Sequence, residues 1–492
     1  MASADNATRA LAVLAVSTLA VAAALVGPVA CGSSGDAPPT GPISPAEFKY
    51  RDEGCLYDVI LPERHGFVDP SFDSDETPGA APVRVRLGLG GDTKSGAAGY
   101  ADPSRTAAFT WETVEPTRAA RVLIGPTPDA LKPASGYSWT TPAPEVGFGS
   151  NEPATSMHEV HVCGLEPGRT YYYAVGGGSP EVRSAVQSFT TVPATGKVTV
   201  GVLGDARDRV DVWQAAQRRM RNLSVNLQIT TGDLVFTGTQ QSLYDQWLGA
   251  IWKDPSNPDI FITLGQQMMA MVAGNHENDA ARFFGAFALP GTGQFAETYA
   301  SFDSGNTHFV VFDDQPLALL AGTEHANAML AWLREDLAAA DRNRDKIPFL
   351  VVVHHRGLYT TSSHADDADV LDLRTMLAPV YDANHVDLVV NGHDHAYERS
   401  KVLRAGVDPR GLPAITGPGQ GTVYVVNAGA GADAYGVGEG AFIEKAATFG
   451  KGTAFDGIYG VLTLEGRKLT MTSYGLSASG SDPVIDSFDL SR

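Results

Sequence analysis

The chain has 492 residues, which is too long for one compact core and predicts two or three domains. Its 43% hydrophobic and 19% charged residues exclude global disorder and a polytopic membrane protein. Its formal net charge of −20 argues against a dedicated nucleic-acid binder, because like charge repels phosphate backbones. The three cysteines are too few for a disulfide-rich scaffold or a Cys-rich zinc module.

The first 30 residues have the pattern of an export signal. A largely apolar run over residues 11–26 is too short for a membrane span and typical of a signal peptide. Cys31, followed by a stretch rich in Gly, Ser and Pro, looks like the lipidated cysteine of a bacterial lipoprotein. We therefore expect a signal peptide over residues 1–30, a tether and extension over 31–79, and a lipoprotein at the cell envelope. Release into the periplasm or medium, or retention by an uncleaved anchor, are the alternatives.

The two remaining cysteines, Cys55 and Cys163, would lie in an oxidising compartment after export. A disulfide between them and two separate buried thiols are both open, because the sequence does not give their separation in space.

Residues 80–194 predict an all-β domain, because short alternating segments are separated by turn residues without any helical period. The predicted strands cover residues 83–87, 108–111, 120–124, 159–162, 171–175 and 186–190. Residues 164–173, which read GLEPGRTYYY, resemble a fibronectin type III strand–turn–strand. We interpret this region as a β-sandwich with the aromatic residues in its core.

From residue 195 onward, apolar strands alternate with helices, which is typical of a layered α/β core. The predicted strands cover residues 198–203, 227–230, 271–273, 309–312, 349–353 and 386–390. Helices are predicted over residues 212–220 and around Leu333, where Met329, Leu330 and Leu337 share one apolar face. Residues 460–464 and 469–472 predict a closing hairpin.

Polar residues follow these strands at their ends, where open α/β sheets bind their ligands. They are Asp205, Asp233, Asn275 with His276, His354 with His355, and His393 with His395. A glycine often precedes them, and we expect it to turn the backbone so that the next side chain points into a shared site. Carboxylates, an amide oxygen and imidazoles together suit Fe, Mn or Zn, so the set predicts metal-assisted hydrolysis.

In this order the motifs resemble those of the calcineurin-like metallophosphoesterases, and most closely the purple acid phosphatases. The resemblance covers roughly residues 80 to 492, and includes GHDHAYER at residues 392–399 and VIDSF at residues 484–488. It implies a multidomain chain with an N-terminal all-β fibronectin-like sandwich over residues 80–194. An α/β four-layer (α/β/β/α) metallophosphoesterase domain would follow over residues 195–492.

The resemblance also implies a ligand set for two divalent or trivalent metal ions, with Asp233 bridging them. The other ligands would be Asn275, His355 and His393 in one half-site, and Asp205 and His395 in the other. His355 is preferred over His354 because it fits the family pattern His-x-x-x-Tyr, which here ends at Tyr359.

Two further histidines would act on the substrate in such a site. His276 would stabilise negative charge on the phosphoryl oxygens. His364 would protonate the leaving group, although its loop could also be merely solvated.

Two positions depart from the family pattern. Purple acid phosphatases have an iron-binding tyrosine three residues after the bridging aspartate, where this chain has Phe236. Most of the superfamily instead has a histidine two residues after the first aspartate, where this chain has Arg207. We therefore expect no purple colour and a weakly held second metal. Arg207 could bind the phosphate with its planar fork, or form a structural ion pair with Asp208 or another carboxylate.

These observations predict an exported phosphoesterase that hydrolyses phosphate mono- or diesters by attack of a metal-activated water. Its partner would be a phosphorylated small molecule or another phosphoester, with no nucleic acid as a dedicated partner and membrane contact only through the N-terminal lipid. The alternatives are a weakly active or inactive surface binding protein on the same fold, and an adhesive role of the β-sandwich.

Overall fold

The computed structural model describes residues 51, 54–59, 68–94, 96–140, 155–278, 280–291, 295, 297–406, 411–450 and 452–492. The expected signal peptide and most of the tether lie outside these ranges. All of the described residues fall in one compact unit. Within them, no helix combines the length and apolar character needed to cross a membrane.

The N-terminal region is all-β, as the alternating patterns predict. Its strands are β1 (Val68–Phe72), β2 (Pro82–Gly88), β3 (Ala107–Thr113), β4 (Arg121–Gly125), β5 (Lys132–Ser135), β6 (Tyr137–Thr140), β7 (Ser156–Val162), β8 (Thr170–Gly177), β9 (Val182–Arg183) and β10 (Gln187–Thr190). Strands β1, β6, β7, β3 and β2 lie side by side in one sheet, and β10, β8, β4 and β5 form the other. Phe109 of the first sheet packs against Tyr173 and Phe189 of the second, with ring centroids 4.8 and 5.7 Å apart. A disulfide joins Cys55 to Cys163, which resolves the open alternative.

The rest of the chain alternates strands and helices. In order they are β11 (Val198–Leu203), α1 (Val210–Leu223), β12 (Leu227–Thr230), α2 (Gln241–Trp252), β13 (Lys253–Asp254), β14 (Asn257–Phe261), β15 (Met268–Ala270), α3 (Ala281–Ala286), β16 (Tyr299–Ser304), β17 (Thr307–Phe312), α4 (Gln315–Leu319), α5 (Glu324–Asp341), β18 (Phe349–Val353), α6 (Ala368–Ala383), β19 (Leu388–Asn391), β20 (Tyr397–Arg404), β21 (Ala414–Ile415), β22 (Thr422–Asn427), β23 (Ile443–Ala447), β24 (Gly457–Glu465), β25 (Lys468–Leu476) and β26 (Val484–Ser491).

These elements form the four-layer arrangement implied by the resemblance. Val200 of β11 and Val351 of β18 belong to one buried core between two sheets. The outer face of the first sheet is covered by α1, α2 and α3, and that of the second by α4, α5 and α6. The apolar strands are therefore buried on both faces, which explains why their sequences lack alternation.

The sandwich and the α/β region share one sheet. Strand β2 pairs in parallel with β15 at Leu87 and Met268, which gives the order β1-β6-β7-β3-β2-β15-β12-β11-β24-β25-β26. The Tyr173 hydroxyl also donates to the carbonyl of Gly265 at 2.6 Å. The sequence pattern changes near residue 195. The hydrogen-bonded sheet nevertheless continues from the sandwich into the α/β region.

The strand predicted over residues 271–273 is wrong in position. The strand is β15, which ends at Ala270. The backbone N–H of Val272 donates to the hydroxyl of Thr230 at 3.0 Å rather than to a strand carbonyl, so the regular ladder stops there. Residues 271–273 are buried just beyond the strand, which is why they read as part of it.

Candidate metal centre

The predicted ligands meet where parallel strands of both sheets end. In the first sheet β12 lies parallel to β11 and β15, and in the second β17, β18, β19 and β22 are parallel. Asp205, Asp233 and Asn275 follow strands of the first sheet, and His355 and His393 follow strands of the second. The two sheets face each other, so their carboxyl ends bring these loops together.

Asp233 lies at the centre of the cluster and is buried. Its Oδ1 is 3.3 Å from Nε2 of His355, which is itself 3.0 Å from Oδ1 of Asn275. Nδ1 of His393 lies 3.2 Å from the same His355 nitrogen. Of the four side chains predicted for one half-site, His355 therefore contacts the other three.

The second half-site is formed by Asp205 and His395. Nε2 of His395 lies 3.5 Å from Oδ1 of Asp205, while its Nδ1 is 2.6 Å from the carbonyl of Asp433. Ligand atoms of Asp205, Asp233 and His355 lie within 4.8 Å of one another. Asp233 thus lies between the two predicted half-sites.

The structure places His355, and not His354, at the centre. The Nδ1 atom of His355 is 2.7 Å from the carbonyl of Thr231, so that nitrogen donates and Nε2 faces the cluster. His354 points the other way, with Nδ1 3.1 Å from the carboxylate of Asp314. His354 is therefore a core histidine with a buried acidic partner.

Gly232, with a φ of 92°, turns the backbone before Asp233 as expected, whereas two other glycines beside the ligands serve a different purpose. Positive φ angles of 55°, 53° and 70° occur at the ligands Asp205, Asp233 and His393 themselves. At Gly392 a Cβ atom would lie 2.5 Å from Oδ2 of Asp205, and at Gly274 it would overlap Oδ1 of Asp233. The ligands therefore adopt the left-handed backbone conformation, and these two glycines leave room for their carboxylates.

The charges of the site favour a bound cation. Burial raises the pKa of Asp205 well above its usual range, and the charge of Asp233 acts in the same direction. Oδ2 of Asp205 is buried and has no hydrogen-bond partner among the described residues. Burial also lowers the pKa of His395 to about 4 and that of His393 well below its usual range. Burial would lower the pKa of His355 too, but the charge of Asp233 raises it to about 10. The donor set therefore fits a metal ion that would neutralise the buried carboxylates.

The two predicted catalytic histidines lie at the edge of the cluster. The backbone N–H of His276 donates to Oδ1 of Asp233 at 3.0 Å, and its Nε2 is 3.8 Å from Oδ2 of that residue. The ring of His364 lies 4.0 Å from that of His393. Nδ1 of His364 is 3.0 Å from Asp394, and this hydrogen bond raises the pKa of His364 despite its partial burial.

The two departures from the family pattern lie together beside the candidate ligands. Phe236 is 54% exposed, and its ring is 5.2 Å from that of His276. The Arg207 guanidinium lies 5.6 Å from the centre of the Phe236 ring. Arg207 also lies 3.6 Å from Asp208, the ion pair considered from the sequence.

Three residues of the site were missed by sequence reasoning. Glu277 is buried, and its carboxylate accepts the backbone N–H groups of Asp233, Leu234, Val235 and Gly274 at 2.7–3.1 Å. Asp394 holds His364, and Tyr435 stacks on His395 with ring centroids 4.0 Å apart. Glu277 and Asp394 were visible inside the ligand motifs, whereas the loop that carries Tyr435 has no ligand pattern.

Known families match both regions of the chain. Residues 198–397 match the sequence model of the calcineurin-like phosphoesterases, and residues 95–191 match that of the purple acid phosphatase N-terminal domain. The chain carries a calcineurin-like metallophosphoesterase domain behind a purple acid phosphatase N-terminal domain. Metallophosphoesterases of this family use a dinuclear metal centre, and the Asp205–Asp233–His355 cluster lies where such a centre would be held.

Individual relatives of this chain are distant. Purple acid phosphatase 22 of Arabidopsis thaliana is 28% identical over 264 residues, which cover 53% of this chain and 57% of that protein. An uncharacterized protein of Mycobacterium tuberculosis is 26% identical over 367 residues, 65% of this chain and 66% of that one. The chain spans only about half the length of the Arabidopsis relatives that it matches.

Solved structures show the same fold. The purple acid phosphatase from yellow lupin (Lupinus luteus) seeds superposes with a TM-score of 0.64 at 19% identity, covering 84% of this chain and 75% of that one. The structure of PhoD superposes with a TM-score of 0.54 at 13% identity, covering 84% and 91%. The two-domain fold class predicted from the sequence is therefore confirmed.

Proposed function

We propose that this metallophosphoesterase domain hydrolyses phosphate esters with the help of metal ions. The observation that carries the proposal is the convergence of six donor side chains from the ends of both sheets, with the buried carboxylate of Asp233 at their centre. They are Asp205, Asp233, Asn275, His355, His393 and His395. Bound ions would supply Lewis acidity toward a water nucleophile and toward the phosphoryl oxygens.

The chain prepares two imidazoles for this task. Backbone carbonyls of Thr231 and Asp433 accept from Nδ1 of His355 and His395, so that each ring directs Nε2 into the site. Such hydrogen bonds fix the tautomer and the ring orientation before any ligand arrives.

His276 and His364 would act on the substrate itself. His276 has 24% of its side chain exposed, and its Nδ1 is held 2.7 Å from the carbonyl of Phe236. Its Nε2 is therefore directed to bind a phosphoryl oxygen. The hydrogen bond from Nδ1 of His364 to Asp394 leaves Nε2 to hold a proton for the leaving group.

The test is hydrolysis of p-nitrophenyl phosphate and bis-p-nitrophenyl phosphate after separate loading with Mn, Zn and Fe. Asp233→Asn should abolish turnover, because it removes the charge of the central ligand, while exposed Asp489→Asn should not. Turnover by Asp233→Asn equal to that of the wild type would remove Asp233 from the mechanism. No turnover by any loaded wild-type form would favour the alternative of a surface binding protein. The ratio of the two wild-type rates would separate monoester from diester preference.

We also propose that the protein is exported and held at the cell envelope by lipid on Cys31. The apolar run over residues 11–26 and the Gly- and Ser-rich stretch after Cys31 support this. The Cys55–Cys163 disulfide suits an oxidising compartment. Mass spectrometry of the mature N-terminus should find a diacylglyceryl group on Cys31, and Cys31→Ala should release the protein from membranes. An unmodified N-terminus in the membrane fraction would contradict the anchor.

A further inference from the structure

Arg207 occupies a specific place inside the metal centre. It lies two residues after Asp205, and only 10% of its side chain is exposed. Nε of Arg207 is 3.5 Å from Oδ2 of Asp233, and one of its terminal nitrogens is 3.3 Å from Nε2 of His395. The ring of Phe236 packs against the guanidinium. The charged group is thus held between the two halves of the centre.

The two atoms that Arg207 contacts are the ones a second cation would need. His395 can offer only Nε2 to an ion, because its Nδ1 is bound to the Asp433 carbonyl. Oδ1 of Asp233 already faces His355 and the N–H of His276, so Oδ2 is the oxygen left for the other half-site. A guanidinium and a metal ion cannot both occupy this position, because each needs the same oxygen and the same nitrogen.

We propose that the Arg207 guanidinium is a built-in counterion that takes the place of the second metal ion. The chain would then bind one ion tightly between Asp233, Asn275, His355 and His393. A second ion would bind weakly, because it must displace a positive charge and then remain close to it. This inference rests on the proposed metal centre, but it is tested by metal binding and does not require turnover.

The neighbours of Arg207 support a fixed position. Phe236 supplies an aromatic face against which a guanidinium is stabilised, and it offers no ligand atom to a metal. The two departures from the family pattern are therefore complementary, because Arg207 places a cation in the site and Phe236 packs against it. The planar fork would also remain suited to two phosphate oxygens.

The experiment is metal titration of the full, metal-depleted protein with Mn²⁺ and Zn²⁺ by calorimetry, with bound metal counted after equilibrium dialysis. We expect one tight equivalent for the wild type and for Arg207→Lys, which keeps the charge. Arg207→Ala should bind two, with the dissociation constant of the second ion lowered at least tenfold. Arg209→Ala is the matched control, because Arg209 is 39% exposed and pairs with Asp211 outside the site.

Two tight equivalents in the wild type, or one in a folded Arg207→Ala, would overturn the inference. No bound metal in any of these proteins would overturn the metal centre and the inference together. One tight ion in the wild type and two in Arg207→Ala, without hydrolysis in either, would support the inference and overturn only the proposed function.

Discussion

Nδ1 of His364 lies 3.0 Å from Oδ1 of Asp394, and the backbone N–H of His364 donates to the same oxygen at 3.0 Å. Asp394 stands between His393 and His395 in sequence and is buried. One carboxylate therefore fixes both the side chain and the backbone of His364 relative to the ligand loop. This places the proposed acid at a set distance from the metal centre.

His364→Gln should lower kcat more for substrates with poor leaving groups than for those with good ones. General acids contribute about 10²–10⁴-fold, and an alkyl phosphate depends on this proton more than p-nitrophenyl phosphate does. The measurement is kcat for both substrates in the variant and the wild type. His385→Gln is the control, because His385 also pairs with an aspartate but follows α6 and is 56% exposed. An equal loss on both substrates would contradict the acid role.

Glu277→Gln should weaken both the fold and the metal centre. The glutamate carboxylate accepts hydrogen bonds from four backbone N–H groups of two ligand loops. In the glutamine variant an NH2 group replaces one of the two oxygens, and as a donor it cannot accept from these N–H groups. We expect a loss of about 3 kcal/mol in the free energy of unfolding. Metal affinity should fall about 10–100-fold. Urea denaturation and metal titration measure these effects, with exposed Glu465→Gln as control, and a variant with unchanged metal affinity would refute the scaffold role.

Gly392→Ala should reduce metal binding without unfolding the chain. The added methyl group would lie 2.5 Å from Oδ2 of Asp205 and 2.8 Å from the carbonyl of Thr231, so the ligand must move. The control is Gly249→Ala, because a Cβ atom at Gly249 meets no atom within 4 Å. A Gly392→Ala protein that binds metal like the wild type would show that the space is not required.

His308 lies away from the metal centre, and it should make the free energy of unfolding depend on pH. Its ring is buried between Asp303 and Asp336, at 2.8 and 2.9 Å. Burial alone would lower the pKa of His308, but the two carboxylates raise it to about 9. The stabilisation is complete below the unfolded-state value of about 6.5 and is lost as the pH rises through about 9.

The comparison is urea denaturation of wild type and His308→Gln at pH 6, 8 and 10. At pH 6 the variant should be less stable by about 3 kcal/mol, because it leaves a buried carboxylate without its cation. The difference should shrink at pH 10. A difference that stays constant over this range would mean that His308 is neutral in the folded protein.

Replacing both Cys55 and Cys163 by serine should lower stability and leave the metal centre intact. The disulfide spans 108 residues of chain, and such cross-links contribute about 2–4 kcal/mol. Thermal unfolding of the double variant and metal titration are the paired measurements. An unchanged melting temperature would mean that the sandwich is held by its core alone.

The candidate ligands could be predicted because each follows an apolar strand within a few residues. Asp205 and Asp233 could be predicted from this local pattern and the rule that ligands bind at strand ends. The contacts of Glu277 and Tyr435 depend on which loops meet in space. Glu277 binds a backbone N–H 44 residues away, and Tyr435 follows β22 in a loop of small residues. The periodicity of the local sequence does not indicate which loops come into contact.

The fold was predictable to the same degree. Strands of the α/β core are buried on both faces and read as apolar runs, so residues 349–353 were placed correctly. Strand β15 has three residues, too short for a pattern to define its ends. Its partnership with β2 joins Met268 to Leu87, which are far apart in the chain and could not be paired from sequence alone.

That partnership gives the N-terminal region a protective role. A chain begun at residue 195 would lose β2 and leave the backbone of β15 as a bare sheet edge. Exposed edges recruit strands from other molecules, so such a fragment is expected to self-associate. By covering the edge of β15, the sandwich therefore prevents edge-to-edge aggregation of the domain that carries the site.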